Sequence, residues 1–362
     1  MKLSYYHLVM PMKIPFTTSF GSSTDKDVLV FELENDGVKA YSECTTNENP
    51  FYGPEDNHTA LHIIKNYLVK EIKLLPEPKE FIDLVSNVKG NNMAKAAMEM
   101  LLYDYHAKKN KKTLIQYMDR RSRGYANVGV SIGMDRIELT LNRIQEAIDR
   151  KYKRIKVKIK KGKEMEILSA VRDHFPHIPL SVDANSDYSE KDFDTLKQLD
   201  RFDLEYIEQP LYHDDIYFHS KLARQIGTPL CLDESIVSPE LAKTAMEMNA
   251  CSIINIKPGR VGGLYNSLKI AEIVREFEGH CWVGGMLETG IGRSYNMSLA
   301  SLELVDFPGD TSPNDKYFEK DVVDNPFFMK DGTITPNNEY GIGVHVNMER
   351  MKMYETEQGS LL

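Results

Sequence analysis

The stretch RIKVKIKKGK, residues 154 to 163, divides into two faces when read with a period of two. Ile155, Val157 and Ile159 fall on one side, and Arg154, Lys156, Lys158 and Lys160 on the other. β-Branched residues alternating with polar ones predict a strand. On a half-buried strand the cations would face water; in a basic patch they would face nucleic acid. Inside a closed barrel they would face each other's counter-charges.

The whole chain argues against nucleic acid. Over 362 residues it carries a net charge of −9, and one short basic run on an acidic protein makes a poor phosphate surface. The length permits two domains. No run approaches the roughly 18 to 20 apolar residues of a membrane helix. The opening MKLSYYHLVMPMKIP has no signal-peptide pattern. Cys44, Cys231, Cys251 and Cys281 stand far apart with no CxxC, so they are expected as reduced thiols in a cytoplasmic protein.

Residues 27–36, DVLVFELEND, alternate as a strand and end on the turn signal Asn35-Asp36-Gly37; VKAYSEC, 38–44, is the expected hairpin partner. From about Asn57 to Asn110 the pattern is helical, clearest in MAKAAMEMLLYDYHAKK, 93–109. This predicts an α+β unit over 1–123. Beyond it, strand-like runs alternate with helical stretches: ANVGVSIG, RIKVKI, IPLSVDAN, FDLEYIEQP, TPLCLDES, CSIINIKPG and GHCWVGGM. That alternation predicts βαβ units and a parallel sheet. Lys158, Asp183, Glu208, Asp233 and Lys257 close successive runs at steps of 25, 25, 25 and 24 residues. About eight strands between Tyr125 and Val305 predict a (β/α)-barrel over 124–306, whose strand ends converge on one mouth. The apolar face of 154–160 then packs on helices, and its lysines point inward.

Asp183, Glu208 and Asp233 together would repel unless a hard divalent cation shared them. One such acid alone reads as readily as a helix cap. Lys158 and Lys257 flank the three in strand order. Two bases across a metal suit removal of a proton next to a carboxylate, with the enediolate stabilised by the cation. Burial, the metal and the neighbouring Lys156 are expected to lower the base's pKa.

KVK, VDAN, EQP, LDES and NIKPGRVGG, in this order and spacing, resemble the enolase superfamily in its muconate-lactonizing branch. PFTTSFG (15–21), MAKAAMEM (93–100), GGMLETGIGR (284–293) and PGDTSPNDKYF (308–318) make the chain similar to o-succinylbenzoate synthases and N-succinylamino acid racemases. The resemblance implies a (β/α)7β barrel of modified TIM type, with an α+β capping domain completed by residues 307–362. It implies Mg²⁺, or another divalent ion such as Mn²⁺, on Asp183, Glu208 and Asp233. Lys158 would be the acid/base, with Lys257 facing it. Lys156, Asn185, Glu234, Arg260, Ser131, Gly285 and Met286 would bind substrate or support the site, and GGMLETG would offer backbone N–H groups. A loop at Pro15 to Ser23 would cover the substrate through Phe16 and Phe20. Lys161 stands where relatives often have proline, and Thr17 where some have arginine; the second leaves the loop's specificity open. The implied reaction is dehydration of a succinyl-bearing cyclohexadiene carboxylate in menaquinone biosynthesis, with racemisation of N-succinylamino acids as the alternative. The implied partner is a small-molecule carboxylate, and a homo-oligomer is compatible.

Other features carry less. GMLETGIG has Ile291 where a phosphate loop needs lysine. Gly262-Gly263 reads as a turn. His213 and His219 read as surface residues, Trp282 as core, and ERMKMYETEQGSLL as a solvated end.

Overall fold

A computed structural model describes residues 1–18 and 21–362, with the side chains of 16–22 excepted. The first hundred residues form a sheet backed by helices. β1 (Lys2–Thr18) pairs antiparallel with β2 (Gly21–Asn35), and β2 with β3 (Val38–Cys44). Asp36 and Gly37 both take positive φ at the β2–β3 turn, as Asn-Asp-Gly favours. Helices at Asn57–Ile63, Val69–Ile72, Pro78–Leu84 and Asn92–Lys109 follow. Leu3, Phe31, Ala97 and Leu101 belong to one buried apolar cluster of this sheet and its helices. Residues 15–18 and 21–23, expected as a loop, are the arms of the β1–β2 hairpin.

The remainder alternates strands and helices. β4 (Ala126–Asn127) pairs instead with β12 (Thr333–Ile334). β5 (Gly129–Ile132), β6 (Arg154–Lys158), β7 (Leu180–Asp183), β8 (Ile207–Glu208), β9 (Leu230–Leu232), β10 (Ile253–Ile256) and β11 (His280–Val283) are all parallel, adjacent in chain order. Seven strands therefore stand in this sheet, where about eight were expected. Residues 307–309 span the gap. Phe307 N–H donates to Cys281 O, and Gly129 N–H to Gly309 O, tying β11 to β5. The result is a closed barrel of modified TIM type beside an antiparallel capping sheet. Among the described residues no helix is long and apolar enough to cross a membrane.

Strand β6 is buried along its whole length. Ile155, Val157 and Ile159 join the large apolar cluster with Leu168 and Val171 of the following helix. Arg154, Lys156 and Lys158 point to the interior. Gly129 lets this happen, since a Cβ there would lie 2.7 Å from the Arg154 guanidinium. Trp282 is fully buried, as expected, and stacks near Tyr206. The tail ERMKMYETEQGSLL, read as a solvated end, is instead ordered. Its residues Glu355–Ser360 form β13, which pairs antiparallel with β1 from Leu8↔Glu355 to Ser4↔Ser360. Its alternation is masked by polar side chains, because it is an edge strand with exposed faces. His213 is exposed, but His219 is buried. Its Nε2 accepts from Leu211 N–H, and burial depresses its pKa to about 4. The four cysteines are buried and free.

Buried carboxylates pin cap to barrel at helix N-termini. Glu43 on β3 accepts from Thr289 and Gly292 N–H, and Glu99 from Leu264 and Tyr265 N–H. Gly262 and Gly263, at φ 89° and 120°, make the turn beforehand, and a Cβ on Gly263 would strike the Glu99 carboxylate. Burial pushes Glu99 from its ordinary 4.5 up to about 8, against the pull of its two backbone bonds. A carboxyl with a raised folded-state pKa stabilises most below its unfolded value and loses that contribution as pH climbs towards the folded one. Between about pH 5 and pH 8 the unfolding free energy of the wild type should therefore fall relative to that of Glu99→Gln, then hold level. Denaturant titrations giving parallel pH profiles for the two proteins would refute this.

Candidate active site

The C-terminal ends of the barrel strands surround a cavity of about 430 Å³, roofed by the cap. Residues Val9, Asp25, Lys26 and Asp27 of the cap line it, with Asn47 to Tyr52, apart from Pro50. Lys156, Lys158, Asp183, Asn185, Asp233, Lys257, Ser131, Gly285 and Met286 line it from the barrel. Glu208 lies beneath, fully buried. Phe20 lies outside the described residues, as does the side chain of Phe16.

Strand register aligns the acids. Lys158 pairs with Asp183, and Asp183 with Glu208, across neighbouring strands. Lys158 Nζ donates to Asp183 Oδ2 at 2.9 Å and to Asn185 Oδ1. Asn185 sits at φ 43°, a left-handed conformation that asparagine tolerates, and its N–H donates to Asp183 Oδ1. Lys156 Nζ donates to Glu208 Oε2 at 2.5 Å, with Asp183 Oδ2 3.7 Å away. On the far side Lys257 Nζ lies 2.8 Å from Asp233 Oδ2, and Arg260 Nη1 donates to Asp233 Oδ1. Glu234 accepts from Asn185 Nδ2 at 3.4 Å, and its Oε2 is buried without a partner. Arg260 and Glu234 thus stand behind the lining, while Ser131 sits opposite Lys156 on β5.

Sequence reasoning missed several members. Asp310 Oδ2 lies 2.7 Å from Lys156 Nζ, and its Oδ1 accepts from Arg154. Asn255 Nδ2 donates to Glu208 Oε1 at 2.8 Å, and Gln209 Oε1 accepts the Asp233 N–H. Tyr52, from the cap, accepts from Lys257 Nζ at 2.9 Å and from Arg260 Nη1. Asn255 is two residues before Lys257 on an inward-facing position, so strand alternation could have found it. Nothing local marks Tyr52 or Asp310, which arrive from distant segments.

Pairing sets the charge balance of the array. Burial pulls the Lys156 and Lys257 ammonium groups down, but their partners outweigh it and hold both above the ordinary lysine value. For Lys156 those partners are Asp310, Glu208 and Asp183; for Lys257 they are Tyr52, Glu234 and Glu208. Burial keeps Glu208 raised even against Lys156. Asp183 is depressed, since Lys158 and Lys156 outweigh its burial. Among the described residues no three His, Cys, Asp or Glu side chains converge as a ready metal cluster, because lysines hold the carboxylate oxygens. The donor set still fits a hard divalent cation: three carboxylates at adjacent strand ends, and a further buried carboxylate oxygen, on Glu234, without a donor.

Arg154 is fully buried below this array, with Asp310 as its counter-ion and Trp282 4.4 Å from its guanidinium. Removing the acid leaves a buried cation without its charge partner, a change that typically costs about 3–5 kcal/mol. Asp310→Ala should lower the unfolding free energy by about that much, and Asp310→Asn by less, in urea melts. A loss below about 1 kcal/mol for Asp310→Ala would show that Arg154 is held by other contacts.

Residues 140–350 match the family described as Enolase C-terminal domain-like, and residues 2–118 the mandelate racemase / muconate lactonizing enzyme N-terminal domain. The chain is 39% identical to the o-succinylbenzoate synthase of Bacillus subtilis (strain 168), over 98% of this chain and 96% of that protein. It is 37% identical to the N-succinylamino acid racemase of Thermus thermophilus, over 96% of each. A crystal structure of an enolase-superfamily member from Listeria innocua superposes with a TM-score of 0.96 at 37% identity, covering 100% of this chain and 98% of that one. The lysine–carboxylate array at the barrel mouth is therefore that of an enolase-superfamily protein, and the chain belongs to this superfamily, in its mandelate racemase / muconate lactonizing group.

Proposed function

We propose that the protein is an o-succinylbenzoate synthase, a carbon–oxygen lyase that dehydrates 2-succinyl-6-hydroxy-2,4-cyclohexadiene-1-carboxylate in menaquinone biosynthesis in the cytoplasm. The observation that carries this is the placement of Asp183, Glu208 and Asp233 between Lys158 and Lys257 at one barrel mouth. Asp183, Glu208 and Asp233 would hold Mg²⁺, with Asn185 and Glu234 behind them. When bound, the cation supplies positive charge to the substrate carboxylate and so lowers the cost of the enediolate. Lys158 takes the proton next to that carboxylate and returns one to the departing hydroxyl. Lys257 stabilises the anion from the opposite side, steadied by Tyr52 and Arg260. Lys156 keeps the deeper carboxylates neutralised. The roof over 430 Å³ keeps water from the intermediate. The division into a cap at 1–123, a barrel at 124–306 and a C-terminal segment at 307–362 is part of the same reading, the last bonding to barrel strands before returning to the cap.

A second reading has a specific observation behind it. Lys257 has its own acid and its own tyrosine across the cavity from Lys158, as a base on each face of an α-carbon requires. Racemisation of N-succinylamino acids, the activity named for the Thermus thermophilus relative, fits that symmetry.

Turnover assays on both substrates test these readings. Glu208→Gln should abolish activity and weaken Mg²⁺ binding, because it removes a charge and keeps the shape. Near-normal activity and metal affinity in that variant would defeat the metal assignment. Lys158→Ala should cost at least about 10²-fold in kcat on either substrate. Lys257→Arg, which keeps charge but not basicity, should recover part of the dehydration lost in Lys257→Ala and none of the racemisation. Equal recovery of both would contradict the one-base and two-base assignments.

A further inference from the structure

Five lysines line the cavity: Lys26, Lys156, Lys158, Lys257 and Lys316. Lys156, Lys158 and Lys257 each lie within 3 Å of a barrel carboxylate. Lys26 donates to Thr46 O and Asn47 Oδ1, both at 3.1 Å. Lys316 differs. Among the described residues its Nζ has no carboxylate within 4 Å and no hydrogen-bond acceptor; its neighbour is the Tyr317 ring, 5.3 Å away at the centroid. Residues 16–22, whose side chains are not described, include no acid. Asp310, the carboxylate whose charge acts on Lys316, is already committed to Arg154 and Lys156.

A partly buried ammonium without a counter-ion is costly, and that cost is recovered when an anion arrives. Burial pulls Lys316 below the ordinary lysine value, and Arg293 adds to the effect against Tyr152 and Asp310. The barrel array already accounts for one substrate carboxylate, so the charge at Lys316 calls for another. The segment after residue 307 delivers this lysine to the cavity wall beside Ser312 and Tyr317.

We propose that Lys316 anchors a second anionic group of the substrate, a carboxylate on an acyl arm several atoms from the reacting carbon. The inference rests on the barrel mouth being a carboxylate-substrate site. It makes that site selective for dicarboxylates over monocarboxylates of the same shape.

The test is calorimetric titration of the Mg²⁺-loaded protein with 2-succinylbenzoate and with 2-butanoylbenzoate. The second keeps the ring carboxylate and the four-carbon acyl chain and lacks the terminal carboxylate. The wild type should prefer the dicarboxylate by about 10-fold or more, the usual scale for a charge-assisted hydrogen bond. Lys316→Met should bring the two within about 2-fold of each other by weakening the dicarboxylate alone, and Lys316→Arg should keep most of the preference. Lys316→Gln serves if the methionine variant does not fold. Absence of a preference in the wild type, a preference undiminished in Lys316→Met or Lys316→Gln, or equal loss of both ligands in those variants overturns the inference. Discrimination without turnover of either proposed substrate would leave the anchor standing and remove the proposed reaction. Turnover without discrimination would do the reverse.

Discussion

Three cations on one barrel strand are the constraint around which this structure is organised. Arg154, Lys156 and Lys158 project from β6 into an interior where a TIM-type barrel ordinarily packs branched apolar side chains. Each needs an anion, and each receives one from a different part of the chain: Asp310 for Arg154, Glu208 and Asp310 for Lys156, Asp183 for Lys158. The barrel core therefore doubles as the foundation of the site. Gly129 clears space at its base, and Trp282 offers its ring to both Arg154 and Lys156.

The same economy governs the joint between cap and barrel. Glu43, Glu99 and Asp321 are buried carboxylates whose partners include helix N-terminal N–H groups, so the positive end of each helix supplies the compensation. Tyr52 crosses the joint to reach Lys257. Cap and barrel are thus coupled at Lys257 as well as at the structural seams.

Much of this was legible in residues 154–163 and in the even spacing of five ionisable residues, because a βαβ repeat fixes where strands end. The hairpin at 27–44 and the helix at 92–109 were legible from alternation, turn chemistry and apolar content. The closing segment 307–309 was not, since its bonds to β5 and β11 leave no alternating pattern. Asp310 escaped notice for the same reason: its role depends on proximity to β6, which no local signal carries. His219 looked polar and proved interior, because the backbone N–H of Leu211 gives its ring nitrogen a donor. Burial alone would acidify Lys156 and Lys257; the groups placed beside them reverse the sign.

The β1–β13 pairing has a bearing on how the protein is made. Ser4 and Ser360 are opposite one another, so β1 is synthesised long before its outer neighbour β13. Until β13 emerges, β1 can zip only to β2, leaving a bare edge exposed to other nascent chains. Polar and charged residues along Glu355–Gln358 give the finished outer edge poor adhesion to foreign strands. The late arrival of this strand makes the finished cap wait on synthesis of Glu355–Ser360, so a product stalled before them would hold a barrel without a finished roof.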